Sequence, residues 1–154
     1  QTLFEQSVSL APEDPYCRID FAKFWVLKAH HAQSDSSRLD HIRQARTHYV
    51  KAWKLDDTMA ETYAEYADTF LFEGKRYEKA IELLEEASFL LPGNPQINAR
   101  LAEAYLGIGD TSKAFQYAQA VVAWSHEHSP AHRRAQYVLE ILAKVDERLS
   151  DSHN

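Results

Sequence analysis

The stretch "LLEEASFLLPGNP", residues 83–95, has a near-copy in "LFEQSVSLAPEDP", residues 3–15. Leu3, Glu5, Leu10, Pro12 and Pro15 fall on Leu83, Glu85, Leu90, Pro92 and Pro95. Weaker echoes stand at 48–60 ("HYVKAWKLDDTMA") and 117–129 ("YAQAVVAWSHEHS"). The equivalent Phe4, Tyr49, Leu84 and Ala118 are 45, 35 and 34 residues apart. Ala22, Ala67 and Ala102 keep the same rhythm, with gaps of 45 and 35. Each follows a large residue (Phe21, Tyr66, Leu101) and stands three before an aromatic one (Trp25, Phe70, Tyr105). A further series, Ala45, Ala80 and Ala114, has gaps of 35 and 34. Three series in one rhythm mark an internal repeat.

The rhythm has a packing cause. A large residue, a small one and an aromatic at i, i+1 and i+4 share one face of a helix. The alanine lets a second helix approach closely, and the aromatic fills the space beside the contact. The later alanine then admits the next helix. A single helix pair leaves a hydrophobic face bare, so neighbouring pairs must stack.

Composition agrees with a helical reading. Only 4 Gly and 5 Pro in 154 residues leave little material for hairpins, and 45% apolar with 26% charged is ordinary for a globular chain. A chain of this length buries about 70% of its unfolded surface. No apolar run approaches the ~18 residues of a membrane span, and no signal-peptide pattern precedes the first helix. Residue 1 is Gln, so we expect a processed product or an excised piece. The lone Cys17 excludes an internal disulfide framework. A net charge of −6 argues against non-specific attachment to nucleic acid or an anionic membrane. A protein or peptide partner fits better, in a soluble protein, cytoplasmic or periplasmic.

On these residues the chain resembles the tetratricopeptide-repeat (TPR) family. "YAEYADTFLFEGKRYEKAIELLEEASFLLPGNP" (63–95) and "INARLAEAYLGIGDTSKAFQYAQAVV" (97–122) carry the family pattern, with Gly74 and Gly109 at the inter-helix turns. The resemblance implies an all-α fold, a right-handed α-α superhelix or solenoid of about eight antiparallel helices. We expect them at 2–11, 15–32, 37–55, 60–73, 77–91, 95–108, 111–125 and 130–149. The whole chain, 1–154, then reads as a single TPR-like domain. Residues 1–14 form the second half of a repeat, 15–59 a long repeat, 60–94 and 95–129 two ordinary repeats, 130–150 a capping helix and 151–154 a tail. The long repeat has an 11-residue excess in "HHAQSDSSRLDHI" (30–42), read as two helices extended past their usual turn, with Ser37 as N-cap. His126 stands where the family places a terminal Pro. Val138, Ile141, Leu142, Val145 and Leu149 form the stripe of the capping helix.

The resemblance also implies a concave groove lined by the first helices of the pairs, holding an extended peptide or a helix from a partner. Its register assigns Tyr16, Ile19, Asp20, Lys23, Val26 and Leu27 to that surface. It adds Glu61, Ala64, Glu65, Asp68, Leu71 and Phe72 from the second pair, then Gln96, Ala99, Arg100, Glu103 and Leu106 from the third. Glu61, Glu65, Asp68 and Glu103 make the middle acidic, and one edge is apolar, which suits a ligand with basic and apolar residues. The family's carboxylate clamp for chaperone C-termini needs Lys, Asn, Asn, Lys and Arg. Ile19, Lys23, Glu65, Gln96 and Arg100 occupy those places, and only Arg100 fits.

Other chemistry is weakly signalled. His126, His128 and His132 in "HEHSPAH" are candidate metal ligands, as are His30, His31 and His41 near the long turn, but no His-Glu-x-x-His or Cys pair accompanies them. No phosphate loop, nucleophile elbow or thiol motif is present, and no cofactor is expected. Glu82, Glu85 and Glu86 read as a solvated face. Arg43, Arg46, Lys51 and Lys54 read as a basic stripe facing that acidic neighbour or water. The expected role is a non-catalytic interaction scaffold. The alternatives are an accessory domain of an enzyme or metal-handling system, and a self-associating module acting through the exposed N-terminal half-repeat, where Leu3, Phe4 and Leu10 suit packing on both sides.

Overall fold

A computed structural model describes residues 2–151, with the side chains of 3–145 and 148. Among the described residues there are eight helices and no strand. They are α1 (Thr2–Leu10), α2 (Pro15–His30), α3 (Asp35–Leu55), α4 (Ala60–Glu73), α5 (Tyr77–Leu90), α6 (Pro95–Gly107), α7 (Thr111–Trp124) and α8 (Pro130–Asp151). Leu149 and the tail beyond Asp151 lie outside the described side chains. No described helix is long and apolar enough to cross a membrane.

Local chemistry sets the helix ends. Asp14 and Asn94 each cap a helix that opens on proline, accepting from the N–H groups of Tyr16 (2.9 Å) and of Gln96 and Ile97 (2.9 and 3.2 Å). Asp110 caps α7 through the Lys113 N–H, 3.0 Å away. Helix α4 stops at Gly74, whose φ of 67° is left-handed and whose N–H returns to the Phe70 and Leu71 carbonyls. The expected cap at Ser37 is corrected. Ser34 caps α3, and Ser37 supplies the N–H that Ser34 Oγ accepts, at 3.2 Å. Helix α3 therefore starts two residues earlier than expected and runs for 21 residues, against 14 in α5 and α7. Most of the excess in the long repeat has gone into this one helix.

The core is built on alanine. Ala22, Ala45, Ala67, Ala80, Ala102 and Ala114, the two small-residue series of the repeat, are all completely buried. They fall into two hydrophobic clusters. One joins α2 and α3 around Ile19, Ala22, Ala45 and Tyr49, and the other runs from α4 to α8. Tyr66 packs against both and joins them. Helix α1 docks through Phe4, whose ring lies 5.8 Å from Phe21 and 5.0 Å from Phe24. Its Leu3 and Leu10 stay exposed, on the face to which the sequence assigns self-association.

Two places are sensitive to substitution. Gly107 closes α6 against Tyr77, and a Cβ there would meet the Tyr77 ring at 2.4 Å. Gly107→Ala gains about 1 kcal/mol of helix propensity but overpacks the contact by about 1–3 kcal/mol. A lower denaturation midpoint is expected, with the melting temperature down by a few degrees.

His48 is buried, with its ring centroid 4.3 Å from that of Phe21 and its Nδ1 without a partner in the chain. Burial, and then Lys51 and Arg18, push its pKa from 6.5 down to about 4. Between those values the unfolded chain holds a proton that the folded chain refuses. The stabilising contribution of neutral His48 is therefore complete above about pH 6.5 and is lost as pH falls towards about 4. Wild type should lose more of its melting temperature between pH 7 and about pH 4.5 than His48→Leu does.

Candidate functional site

The repeat places α2, α4, α6 and α8 in equivalent positions, and their side chains fall in columns. Asp20, Glu65, Arg100 and Arg134 share one register position, separated by 45, 35 and 34 residues. Lys23, Asp68 and Glu103 share the position three residues further along, again 45 and 35 apart. Each member of the second column bridges to the first column of the next helix. Lys23 Nζ lies 3.0 Å from Glu65 Oε1, Asp68 Oδ2 lies 2.7 Å from Arg100 Nη2, and Glu103 Oε2 lies 3.1 Å from Arg134 Nε. Two additional contacts, Lys23 to Glu61 (3.0 Å) and Asp68 to Arg134 (3.0 Å), complete a diagonal ladder across four helices.

The ladder is half-buried, and its groups respond accordingly. Burial raises the pKa of Glu65 above the usual carboxylate value, although Lys23 and the Tyr49 hydroxyl, 3.2 Å away, oppose it. Glu103 is raised by burial in the same way, with Arg134 opposing. Burial disfavours charge on Lys23, but its bonds to Glu61 and Glu65 outweigh that and leave its pKa raised. Behind the ladder, Arg46 of α3 donates to the Thr69 carbonyl at 2.9 Å and reaches Glu73 at 2.7 Å. That member of the basic stripe faces α4, not the acidic face of α5.

The sequence-derived groove residues separate into four groups. Tyr16, Asp20, Leu27 and Gln96 are exposed. Lys23, Glu61, Glu65, Asp68, Arg100 and Glu103 belong to the ladder. Ile19, Ala64, Leu71 and Ala99 are corrected: they are 2%, 4%, 7% and 0% exposed and pack in the two clusters. Val26 is half-buried beside Ile19, and Phe72 is covered edge-on by His30 at 4.5 Å. The acidic middle is also corrected, because Lys23, Arg100 and Arg134 already pair with Glu61, Glu65, Asp68 and Glu103. Arg134 is the residue that the sequence reading missed, and its signal was the 34-residue step from Arg100. Glu61, Glu65, Gln96 and Arg100 do come together, around a cleft of about 340 Å³ between α4 and α6 with Leu91 and Asn94 at its edge. No clamp for a terminal carboxylate forms there, since Glu65 would repel it and Arg100 is held by Asp68.

The histidines of "HEHSPAH" do not converge. His126 and His128 are exposed, whereas His132 is buried with its Nδ1 3.1 Å from Ser125 Oγ. Among the described residues, no group of three His, Cys, Asp or Glu side chains is placed to hold a metal ion.

Paired helices stacked in register, with first helices side by side, define an α-α solenoid. The tetratricopeptide-repeat family pattern matches residues 71–137. The BBSome complex member BBS4 homolog of Drosophila melanogaster is 32% identical over 87 residues, which is 56% of this chain. The chain spans 18% of the length of that relative. The TPR protein TTC0263 of Thermus thermophilus superposes with a TM-score of 0.76 at 18% identity, over 88% of this chain and 69% of that one. YrrB, described as a TPR protein with an unusual peptide-binding site, superposes with a TM-score of 0.68 at 21% identity, over 96% and 70%. Over residues 71–137 the chain matches the tetratricopeptide-repeat pattern, and its fold is that of solved TPR proteins.

The ladder makes a stability prediction. Asp68→Ala leaves two guanidinium groups without their shared carboxylate, where Arg100 is only 16% exposed. The substitution should lower unfolding free energy by about 1–2 kcal/mol, read by urea denaturation, with a smaller loss at high salt.

Proposed function

We propose that this protein is a non-catalytic scaffold that binds an extended peptide or a helix of a partner protein along its first-helix face. The observation that carries the proposal is the cleft between α4 and α6, open beside Glu61 and Gln96 and continued by the exposed side chains of α2. TPR folds typically serve as non-enzymatic scaffolds, and the YrrB description of a peptide-binding site supports the same reading here.

The ladder narrows the ligand. Pairing neutralises most of the acidic middle, so the remaining negative charge is concentrated near Asp20 and Glu61, where two glutamates share Lys23. A basic residue of the ligand belongs there, with apolar residues against Tyr16 and Leu27, which are 63% and 57% exposed. Glu65 and Asp68 are poor test positions because reversing either breaks the ladder.

The partner is to be isolated on immobilised protein from the source cells and identified by mass spectrometry. The Tyr16→Ala/Asp20→Lys variant, which leaves the ladder intact, should bind the purified partner at least about tenfold more weakly, with an unchanged circular dichroism spectrum. Equal affinity in wild type and variant would remove this face from the function.

A further inference from the structure

A second cleft, of about 440 Å³, opens between the second helices α3 and α5, with α4 as its floor. Its walls are aromatic. Trp53 of α3 donates its indole N–H to the Tyr63 hydroxyl at 2.6 Å, holding the two rings edge to face at 6.1 Å. Tyr66, Val50 and Leu83 continue the apolar lining. Trp53 is still 41% exposed, so a large part of the indole is uncovered.

The cleft exists because of a residue choice within the repeat. The residue 34 positions after Leu83 is Tyr117, whose ring stacks on Tyr105 at 5.7 Å and an interplanar angle of 6°. The residue 35 positions after Val50 is Glu85, which accepts from the Tyr105 hydroxyl at 2.8 Å. The seam between α5 and α7 thus has a ring and a hydrogen bond where the seam between α3 and α5 has two aliphatic side chains and open space.

The rim of this cleft carries a free carboxylate. Glu82 is bound to Lys79 at 2.6 Å, but Glu86 on the same rim makes no ion pair or hydrogen bond among the described residues.

We propose that this cleft receives an arginine side chain from a partner peptide. A guanidinium stacks on indole and phenol faces, and its planar fork donates two bonds to one carboxylate. Here the rings are those of Trp53 and Tyr63 and the acceptor is Glu86. An apolar side chain leaves Glu86 unmatched, and an acidic one meets Glu82 and Glu86. An ammonium is more strongly hydrated and has no plane to stack. The site is independent of the first-helix face.

The test uses isotope-labelled protein and four acetylated, amidated tripeptides, Gly-X-Gly with X arginine, citrulline, lysine or trimethyl-lysine. The arginine peptide should bind with a dissociation constant on the order of 1–10 mM, as befits a small ligand. It should shift the Trp53 indole signal, assigned with Trp53→Phe, and the Thr62 and Tyr63 amides. Glu86→Gln, at an exposed position, should weaken binding at least about fivefold. Tyr16→Ala/Asp20→Lys should leave it unchanged, which separates this site from the groove. The assignment is overturned by an unmoved Trp53 signal, by equal binding of citrulline, or by tighter binding of either lysine peptide.

Discussion

Close approach of helices at alanine is the constraint from which the other features follow. Ala22, Ala67 and Ala102 on the first helices and Ala45, Ala80 and Ala114 on the second have no exposed surface, so backbones meet where a larger side chain would hold them apart. Repeating that contact fixes the offset between successive first helices. A fixed offset allows a side chain of about Lys or Arg length to reach the same register position each time, one helix on. The diagonal ladder is therefore a secondary product of the alanine contact. Glu65 bridges back to α2, and Arg100 and Arg134 at the same register bridge back to α4 and α6, because the backbone beneath them is repeated.

The repeat is not uniform, and its departures locate the surfaces that remain open. Helix α3 is seven residues longer than α5, and Tyr66 packs against both the α2–α3 cluster and the cluster that runs from α4 to α8. The aromatic cleft lies at that join. Towards the other end of the chain, the α5–α8 region shares one continuous cluster, and Tyr105, Tyr117 and Glu85 engage one another. A stack that changes repeat length part-way along loses some packing at the change, and here aromatic side chains occupy the join.

Most of the fold was legible in the sequence because it is periodic. Helix spans, turn glycines and buried alanines recur at 34 or 35 residues, so each observation was made two or three times. The non-periodic features were harder to read. Ser34 and Ser37 both satisfy the chemistry of an N-cap in "SDSS", and only the structure shows which backbone is still extended. Ile19 and Leu71 lie at the edge of the first-helix face, and a small rotation of each helix turns them inward. The charges misled for a different reason. Counting carboxylates on a face describes a field, whereas pairing depends on which column each charge occupies. Reading α8 as a cap hides Arg134, whose 34-residue spacing from Arg100 places it in the same column.

Pairing within the chain changes what a groove ligand can gain. A ligand that inserts between Lys23 and Glu65, or between Asp68 and Arg100, must replace contacts of 2.7–3.0 Å that the free protein already makes. The exchange returns little net affinity, because one charge-assisted bond is traded for another. A paired ladder holds its side chains in place, so they act as a rigid surface more than as a source of attraction. On the reading proposed above, affinity comes from the margin of the ladder: Asp20, the second carboxylate on Lys23, and the exposed Tyr16 and Leu27. The ladder's positions would then exclude a terminal carboxylate, and the margin would set how tightly an admitted ligand is held.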